Sequence, residues 1–416
     1  MVFYDVIILG GGTAGCSTAW NCAKLGLKTL LIEKKTYLGG TMTAGLVVPV
    51  MKSGENQINT DFYTKLTARM HAAGGQVTYQ NNHGWFNPII LKSVLEQMLL
   101  DVGVNIQYNT LSVSNDKIHT DNNLILGVDI LSEYIEAKYF IDATGNLDFC
   151  KELGCHFLPQ PEAFQPMSLR FIMSGIDLDK FAQWLLRMDN DREVTTVEYI
   201  NSVVHLSTAY TWDSDKNWAL APLFDGAVSK NIIKDTDRNY FQVFSIAGMP
   251  DSLAFNCPRI VENLNPNIDS DIQKAYEIGK AAIYRLEKFC KIYFPGFENS
   301  YVSKIADQVG IRASRQIRGK YIYTIDDLRS GKKFKHPAVI SNYPVDVHSG
   351  KKDSSRLEKT GEYQLPIESL MSIDYDNLFV AGRGLSADSL AQGALRVQAS
   401  CFSMGEAVAK YLAAIG

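Results

Sequence analysis

The apolar run Val6-Ile7-Ile8-Leu9 breaks into Gly10-Gly11-Gly12-Thr13-Ala14-Gly15. No other stretch restricts the fold as much. The run reads as a buried strand of a parallel sheet, because it is β-rich and apolar on both faces. Alanines, Trp20 and Leu25 then recur at helical spacing from Ala14 onward, and Lys28-Thr29-Leu30-Leu31-Ile32 reads as a second strand. Glu33 closes it, 23 positions after Gly10 (33 − 10). A GxGxxG turn is weak by itself. Set between a strand and a helix, with an acid at the end of the next strand, it specifies a dinucleotide site. Gly10 permits the tight turn, Gly12 lets the backbone approach a pyrophosphate, and Gly15 lets helix and strand pack closely. The helix N-terminus offers unpaired N–H groups and its positive dipole end to the diphosphate. Glu33 can accept hydrogen bonds from ribose hydroxyls, and its charge disfavours the 2′-phosphate of NADP.

The segments beyond Glu33 favour FAD over NAD. A second glycine pair comes soon after the acid, in Gly39-Gly40-Thr41-Met42-Thr43, where NAD dehydrogenases normally begin another βα unit. Asn87-Pro88 starts a helix whose apolar stripe runs from Leu91 to Val102 and stops at Gly103. Tyr139-Phe140-Ile141-Asp142 reads as a strand that ends in the small turn Ala143-Thr144-Gly145. Far along the chain, Asn377 to Ala381 repeats the pattern and ends in Gly382-Arg383-Gly384, with a last helix expected from Val397 to Ala414. That helix N-terminus is expected to face the pyrimidine side of a flavin and stabilise its reduced, negative form. In the middle, Met167 to Met173 and Phe241 to Ala247 read as strands, and Leu178 to Met188 and Asp271 to Tyr293 as helices.

With these motifs in order, the chain resembles the FAD-dependent oxidoreductases of the glutathione-reductase structural class. It is similar to a bacterial group carrying GxRxSRxxxGxY, read here as Gly310-Ile311-Arg312-Ala313-Ser314-Arg315-Gln316-Ile317-Arg318-Gly319-Lys320-Tyr321. Other matching segments are Gln165-Pro166-Met167-Ser168, Tyr343-Pro344-Val345-Asp346-Val347-His348 and Ala381-Gly382-Arg383. Ala313 stands where that group often has Glu, and Asn146 where Asp is frequent. The resemblance implies an α/β fold. A Rossmann-like FAD-binding domain, discontinuous in sequence (residues 1–160 and 346–416), would carry an inserted mixed α+β substrate-binding (cap) domain (161–345). The expected cofactor contacts near the start are Gly10, Gly12, Thr13, Ala14, Gly15, Glu33 and Lys34, then Gly39, Gly40, Thr41, Thr43 and Val113. Further on they are Ala143, Thr144 and Gly145, and finally Gly382, Arg383, Gln392, Gly393 and Ala394. No histidine stands in a flavin-linking position, so non-covalent FAD is expected.

The expected catalytic residues are Arg312, Arg315, His348 and Arg396. Guanidinium forks grip carboxylates bidentately. Were their segment helical, Arg312 and Arg315 would share a face; they then form either an anion clamp beside the flavin or a structural pair between domains. Alternation along a strand puts Asp346 and His348 on one face, as a proton relay near neutral pH or as a structural contact. Of Arg383 and Arg396, one is expected to face the ring or the substrate and the other to tie down the last helix. Arg170 is a weaker substrate candidate. The remaining histidines (71, 83, 119, 156, 205 and 336) show no metal-ligand spacing, and no metal is expected.

Composition closes off other classes. The balance of 41 basic against 45 acidic residues, a net charge of −4, offers nothing to a polyanion, so nucleic acid is not expected as a partner. No run approaches the roughly 20 apolar residues of a membrane span, and no signal-peptide pattern is seen. The seven cysteines form no CxxC pair, which fits reduced thiols in a cytoplasm and excludes disulfide-reductase chemistry. The expected activity is hydride transfer between flavin and a carbon of a small, polar or anionic substrate. Its direction, electron partner and oligomeric state stay open. The rival readings are a flavoenzyme with a net non-redox step (hydration or isomerisation) and a tRNA-modifying flavoprotein, against which the acidic balance weighs.

Overall fold

A computed structural model of the protein describes residues 2–110, 113–210, 218–348 and 356–416. In its seven-stranded sheet, Val2–Leu9 lies parallel between Thr29–Ile32 and Glu133–Asp142, and Asn105–Gln107 flanks Thr29–Ile32. Leu378–Val380 runs parallel beside the last residues of Glu133–Asp142, while an antiparallel hairpin (Ile118–Asp121 and Leu124–Ile130) takes the same side of its first residues. The register pairs Leu9 with Ile32 and with Asp142, and Asp142 with Val380. Four parallel strands therefore end level, and the turns after them open on one edge, where such sheets bind ligands. Val6, Ile7 and Ile8 are fully buried, as the apolar run requires. The hairpin alternates, with Leu124 and Leu126 exposed, because an antiparallel flank can leave one face to water.

The first and last helices close this unit. Thr13–Lys24 packs along Gln398–Ile415, and Ser17 Oγ donates to Phe402 O at 2.7 Å. The helix Asp61–Ala72 adds Phe62, whose ring sits 5.9 Å from Trp20 and 5.3 Å from Phe402. Gly405 sets the helix separation.

The second sheet has six antiparallel strands in the order Thr195–Ile200, Val203–Tyr210, Phe241–Ile246, Met249–Phe255, Phe171–Ser174, Tyr301–Ile305. One face buries an aromatic core. Phe171 stacks on Phe255 at 4.3 Å, and the helices Ala221–Ser229 and Asp269–Tyr293 add Phe224 and Phe289, also 4.3 Å apart. The other face turns Thr196, Ser207, Gln242 and Phe244 towards the first sheet. Among the described residues no helix is long and apolar enough to cross a membrane.

Two local expectations change. The single strand expected over 167–173 is two: Met167–Ser168 pairs with Arg259–Ile260, and Phe171–Ser174 joins the larger sheet. The break lets Arg170 leave the sheet. A hairpin, Gln76–Tyr79 and Asn82–Phe86, stands where no element was expected. Its turn residues Gln80 and Asn81 have φ of 51° and 55°, the left-handed pair that usually selects Asn-Gly. The hairpin reaches the second sheet, where Trp85 meets Phe244 edge-on at 5.4 Å.

A Cβ on Gly405 would lie 2.6 Å from Ala14 O and 2.8 Å from Thr18 Oγ1. Gly405→Ala gains about 1 kcal/mol of helix propensity, but such overpacking costs about 1–3 kcal/mol, and a helix carbonyl cannot move alone. A net loss of about 1 kcal/mol is expected in denaturant unfolding; a more stable variant would contradict this packing.

Candidate active site

One cavity of about 1780 Å³ follows the level strand ends and continues between the two sheets. Small-molecule pockets are usually roughly 300–1,000 Å³, so a long cofactor and a second ligand both have room. The glycines at its closed end have different jobs. Gly10 has φ of 100°, and a Cβ there would lie 2.6 Å from Ala143 O. On Gly15 a Cβ would come 1.8 Å from Gly10 O. Both are demanded by the protein's own packing, and Gly15 lies behind the cavity wall. Gly12 has an ordinary φ of −78°, and a Cβ would meet nothing nearer than Gly40 Cα at 3.9 Å. The space in front of Gly12, Thr13 and Ala14 is cavity. No side chain caps the Thr13–Lys24 helix, and its first turn holds no acid, which leaves its first N–H groups to an anion.

Glu33 also holds the turn. Its Oε2 accepts from Gly11 N at 2.7 Å and its Oε1 from Lys35 N at 2.9 Å. Each oxygen keeps a lone pair for a hydroxyl in the cavity, which Glu33, Lys34 and Val113 line. The second glycine pair packs backbone on backbone against the first turn. Gly39 N donates to Gly11 O at 2.8 Å, and a Cβ on Gly40 would lie 2.8 Å from Gly12 Cα. Gly40 and Thr41 reach the cavity. Gly39 and Thr43 stay outside it, Thr43 Oγ1 donating to Leu38 O at 2.6 Å.

Ala143, Thr144 and Gly145 line the next stretch, followed by Gly382 and Arg383. The buried Asp142 carboxylate shapes the first of these turns, accepting from Thr144 N, Thr144 Oγ1 and Cys150 N at 2.9, 2.6 and 2.9 Å. Arg383 Nη2 donates to Asn146 Oδ1 at 2.6 Å and ties the two turns together. Gln392, Gly393 and Ala394 lie off the cavity. Gln392 Nε2 donates to Arg312 O and Arg383 O at 3.1 and 3.3 Å, Gly393 presses on Val347, and Ala394 O accepts from Tyr363 Oη at 3.3 Å. Val397 and Gln398 take their place at the wall. Gln398 Oε1 is buried and unpartnered. The bare helix end, the open space at Gly12 and this orphaned oxygen fit an extended dinucleotide.

The arginine segment is not helical. Gly310 to Tyr321 forms an irregular strap, in which Gly310 N donates to Ser168 O at 2.7 Å, Ser314 Oγ to Gly145 O at 3.2 Å and Ile317 N to Gly384 O at 2.9 Å. Its two guanidinium groups diverge. Arg315 donates to Asn146 O at 3.0 Å and stands 3.6 Å from Asp148. Arg312 spends one N–H on Pro166 O at 2.7 Å and otherwise faces the cavity. Arg170, Arg259 and Arg396 face the same end. Arg170 makes only a long contact, 3.5 Å to Leu46 O. Arg396 donates to Asp346 O at 2.8 Å and stands 3.3 Å from Asp346 Oδ2. Burial, then the charges of Arg259, Arg396 and Arg170, push Arg312 down to about 9; burial brings Arg170 to about 10.

Asp346 and His348 do share a face, 3.3 Å apart, but not as a relay near neutral pH. Arg259 Nη2 lies 2.9 Å from His348 Nδ1. An arginine only donates, so Nδ1 accepts and the ring proton sits on Nε2, towards Asp346. Burial, followed by the Arg312 charge, lowers His348 to about 3, so the ring is neutral.

Arg259 and Tyr240 carry no motif, and sequence reasoning misses both. The Arg259 guanidinium lies over the Tyr240 ring, 4.3 Å from its centroid. Tyr240 Oη donates to Gln242 Oε1 at 2.8 Å and accepts from Asn256 Nδ2 at 3.1 Å. Burial outweighs the neighbouring arginines and raises the Tyr240 phenol, so it keeps its proton.

The fold and cavity define a nucleotide-binding α/β enzyme with a second, cationic chamber. The chain belongs to the FAD-dependent oxidoreductase family, whose model matches residues 5–415; its cofactor is FAD. It is 23% identical to dihydrolipoyl dehydrogenase of Bacillus subtilis (strain 168) over 369 residues, covering 80% of this chain and 69% of that one. A second dihydrolipoyl dehydrogenase, from Trypanosoma brucei brucei, is 29% identical over 249 residues, and the match spans 47% of its length. Among solved structures, the flavin-dependent brominase Bmp2 aligns with a TM-score of 0.49 and 14% identity, covering 100% of this chain and 79% of that one.

Two outcomes are expected. Gly12→Ala should match the unfolding midpoint of the flavin-stripped parent yet purify with little flavin, whereas Gly15→Ala should fail to fold; a yellow, fully occupied Gly12→Ala would remove the pyrophosphate from this turn. The second concerns pH. Native His348 stays neutral down to about 3, while the unfolded imidazole takes its proton at the ordinary 6.5. Its contribution is therefore complete above 6.5 and is lost as pH falls towards 3. His348→Asn should flatten the acid side of the stability–pH curve in denaturant titrations; unchanged slopes would contradict a neutral ring.

Proposed function

We propose that the protein oxidises or reduces a small anionic organic substrate, moving a hydride between a substrate carbon and FAD. One observation carries this reading. A single cavity joins the bare helix end at Gly12 to the guanidinium groups of Arg170, Arg259, Arg312 and Arg396, beside which Asp346 is the one paired carboxylate. FAD, when bound, supplies a ring that accepts or returns two electrons as hydride. The pyrophosphate belongs at Gly12, Thr13 and Ala14, the ribose at Glu33, and the flavin end near Gly382, Val397 and Gln398.

Position and charge come from the chain. Arg312, Arg259 and Arg170 hold the anionic group and so orient the reacting carbon. Tyr240, its one O–H spent on Gln242 and its oxygen accepting from Asn256, seats the Arg259 guanidinium on its ring. In oxidation the carbon gives up a hydride to the flavin and the neighbouring C–H, O–H or N–H releases a proton to solvent, leaving a double bond; in reduction the hydride returns from the flavin and the proton from solvent. Arg315, Ser314 and Gln392 position the strap. We assign the strap to the GxRxSRxxxGxY group and keep residues 161–345 as the cap. Thiol chemistry has no place in this reading, because all seven cysteines are free and buried.

Anaerobic titration of the holoprotein with carboxylates and their uncharged amides tests the reading. Carboxylates should bleach the visible flavin band and amides should not; bleaching by amides alone would overturn it. Arg312→Ala should raise the half-bleaching concentration about 10- to 100-fold, a charged hydrogen bond being worth roughly 1.5–3 kcal/mol, with the flavin spectrum intact. Arg315→Ala should instead shed flavin.

A further inference from the structure

We infer that the substrate carries two carboxylates. The inference rests on the proposal that the arginine end receives the substrate, and it narrows the substrate class. Arg170, Arg259, Arg312 and Arg396 surround one chamber, and Asp346 offsets Arg396, which leaves three guanidinium charges (4 − 1) with neutral partners. Those partners are Pro166 O for Arg312, His348 Nδ1 for Arg259 and a 3.5 Å contact to Leu46 O for Arg170. The other lining carboxylates are engaged or lie elsewhere: Asp148 beside Arg315, Glu33 on the glycine turn, Asp307 with Lys304, Glu152 with Lys151, and Asp269 in the first turn of its helix. The Nε atoms of Arg170, Arg259 and Arg396 are buried without partners.

Buried charge of one sign is costly unless it is paired. A single carboxylate has about four lone-pair sites, too few to saturate three guanidinium forks. It would also leave two positive charges uncompensated (3 − 1). A second carboxylate lowers that to one.

The donors gather about the Tyr240 ring. Arg259, His348, Asp346 and Arg396 make a continuous hydrogen-bonded chain on one side. Arg170 stands beside that chain, level with Asn256 because Phe171 pairs with Phe255 in antiparallel register, and Asn256 bonds the tyrosine that Arg259 covers. Asn256 in turn pairs with Gln242 on the next strand. A phosphate has no carbon to offer the flavin; two carboxylates on a short carbon chain supply both charges and hold the carbons between them.

Calorimetric titration of the flavin-loaded protein with succinate, butyrate and inorganic phosphate tests this. Succinate should bind about 30-fold more tightly than butyrate, the worth of one further charged hydrogen-bonded pair, and phosphate no more tightly than butyrate. In Arg170→Gln the succinate-to-butyrate ratio should collapse to below about 3, an effect that loss of fold would not mimic if flavin is retained. Equal affinity for succinate and butyrate would overturn the dicarboxylate while leaving an anion site standing. Phosphate as the tightest ligand would overturn it in favour of a single tetrahedral dianion. No heat from any of the three would overturn both this inference and the proposal on which it rests.

Discussion

Bare backbone pressed on bare backbone underlies the rest of the structure. Gly15 meets Gly10, Gly10 meets the turn at Ala143, and Gly39-Gly40 folds back onto Gly11-Gly12. Three chain segments can come this close only because side chains are absent between them. The close approach keeps the parallel strand ends level and points the first helix at the cavity with its N–H groups unspent. The helix dipole and those donors are then completed by a ligand rather than by the protein.

The two ends of the cavity use opposite kinds of electrostatics. At the glycine end the attraction is a sum of small backbone dipoles, and Glu33 adds a negative charge that is spent on local N–H groups. At the far end the charges are whole guanidinium ions. Most of them rest on carbonyl oxygens or on the neutral His348 rather than on carboxylates. A carboxylate partner would have cancelled the field; a carbonyl fixes the geometry and leaves the charge available. The neutral imidazole does the same for Arg259.

The parts of this architecture written in short-range pattern were legible in the sequence. The strand ending at Leu9, the helix Leu178–Met188 and the strand ending at Asp142 arise from local periodicity and turn residues. Gly12 stands out by spacing alone, and in the fold it opens on the cavity. Other parts depend on distant partners. Arg312 and Arg315, three apart, fit a helix, yet their segment bonds to Gly145, Ser168 and Gly384, none of them nearby in sequence. The Gln80-Asn81 turn lacks the glycine that would mark it. Arg259 and Tyr240 meet at the open end of the antiparallel pair Phe241–Ile246 and Met249–Phe255, beyond the last paired residues, where neither carries a motif. Asp346 and His348 were legible as neighbours, but the state of the imidazole depends on burial and on Arg259 and Arg312.

The strand Leu378–Val380 and the helix Gln398–Ile415 complete a unit whose other half is made of the first residues. During synthesis, Glu133–Asp142 emerges long before the strand that flanks its end, and Thr13–Lys24 long before the helix that covers it. Residues 161–345 are therefore made while that unit still lacks its last strand and helix. A fragment that stops short of residue 378 keeps the glycine turn but lacks the strand beside Asp142 and the helix that covers Thr13–Lys24.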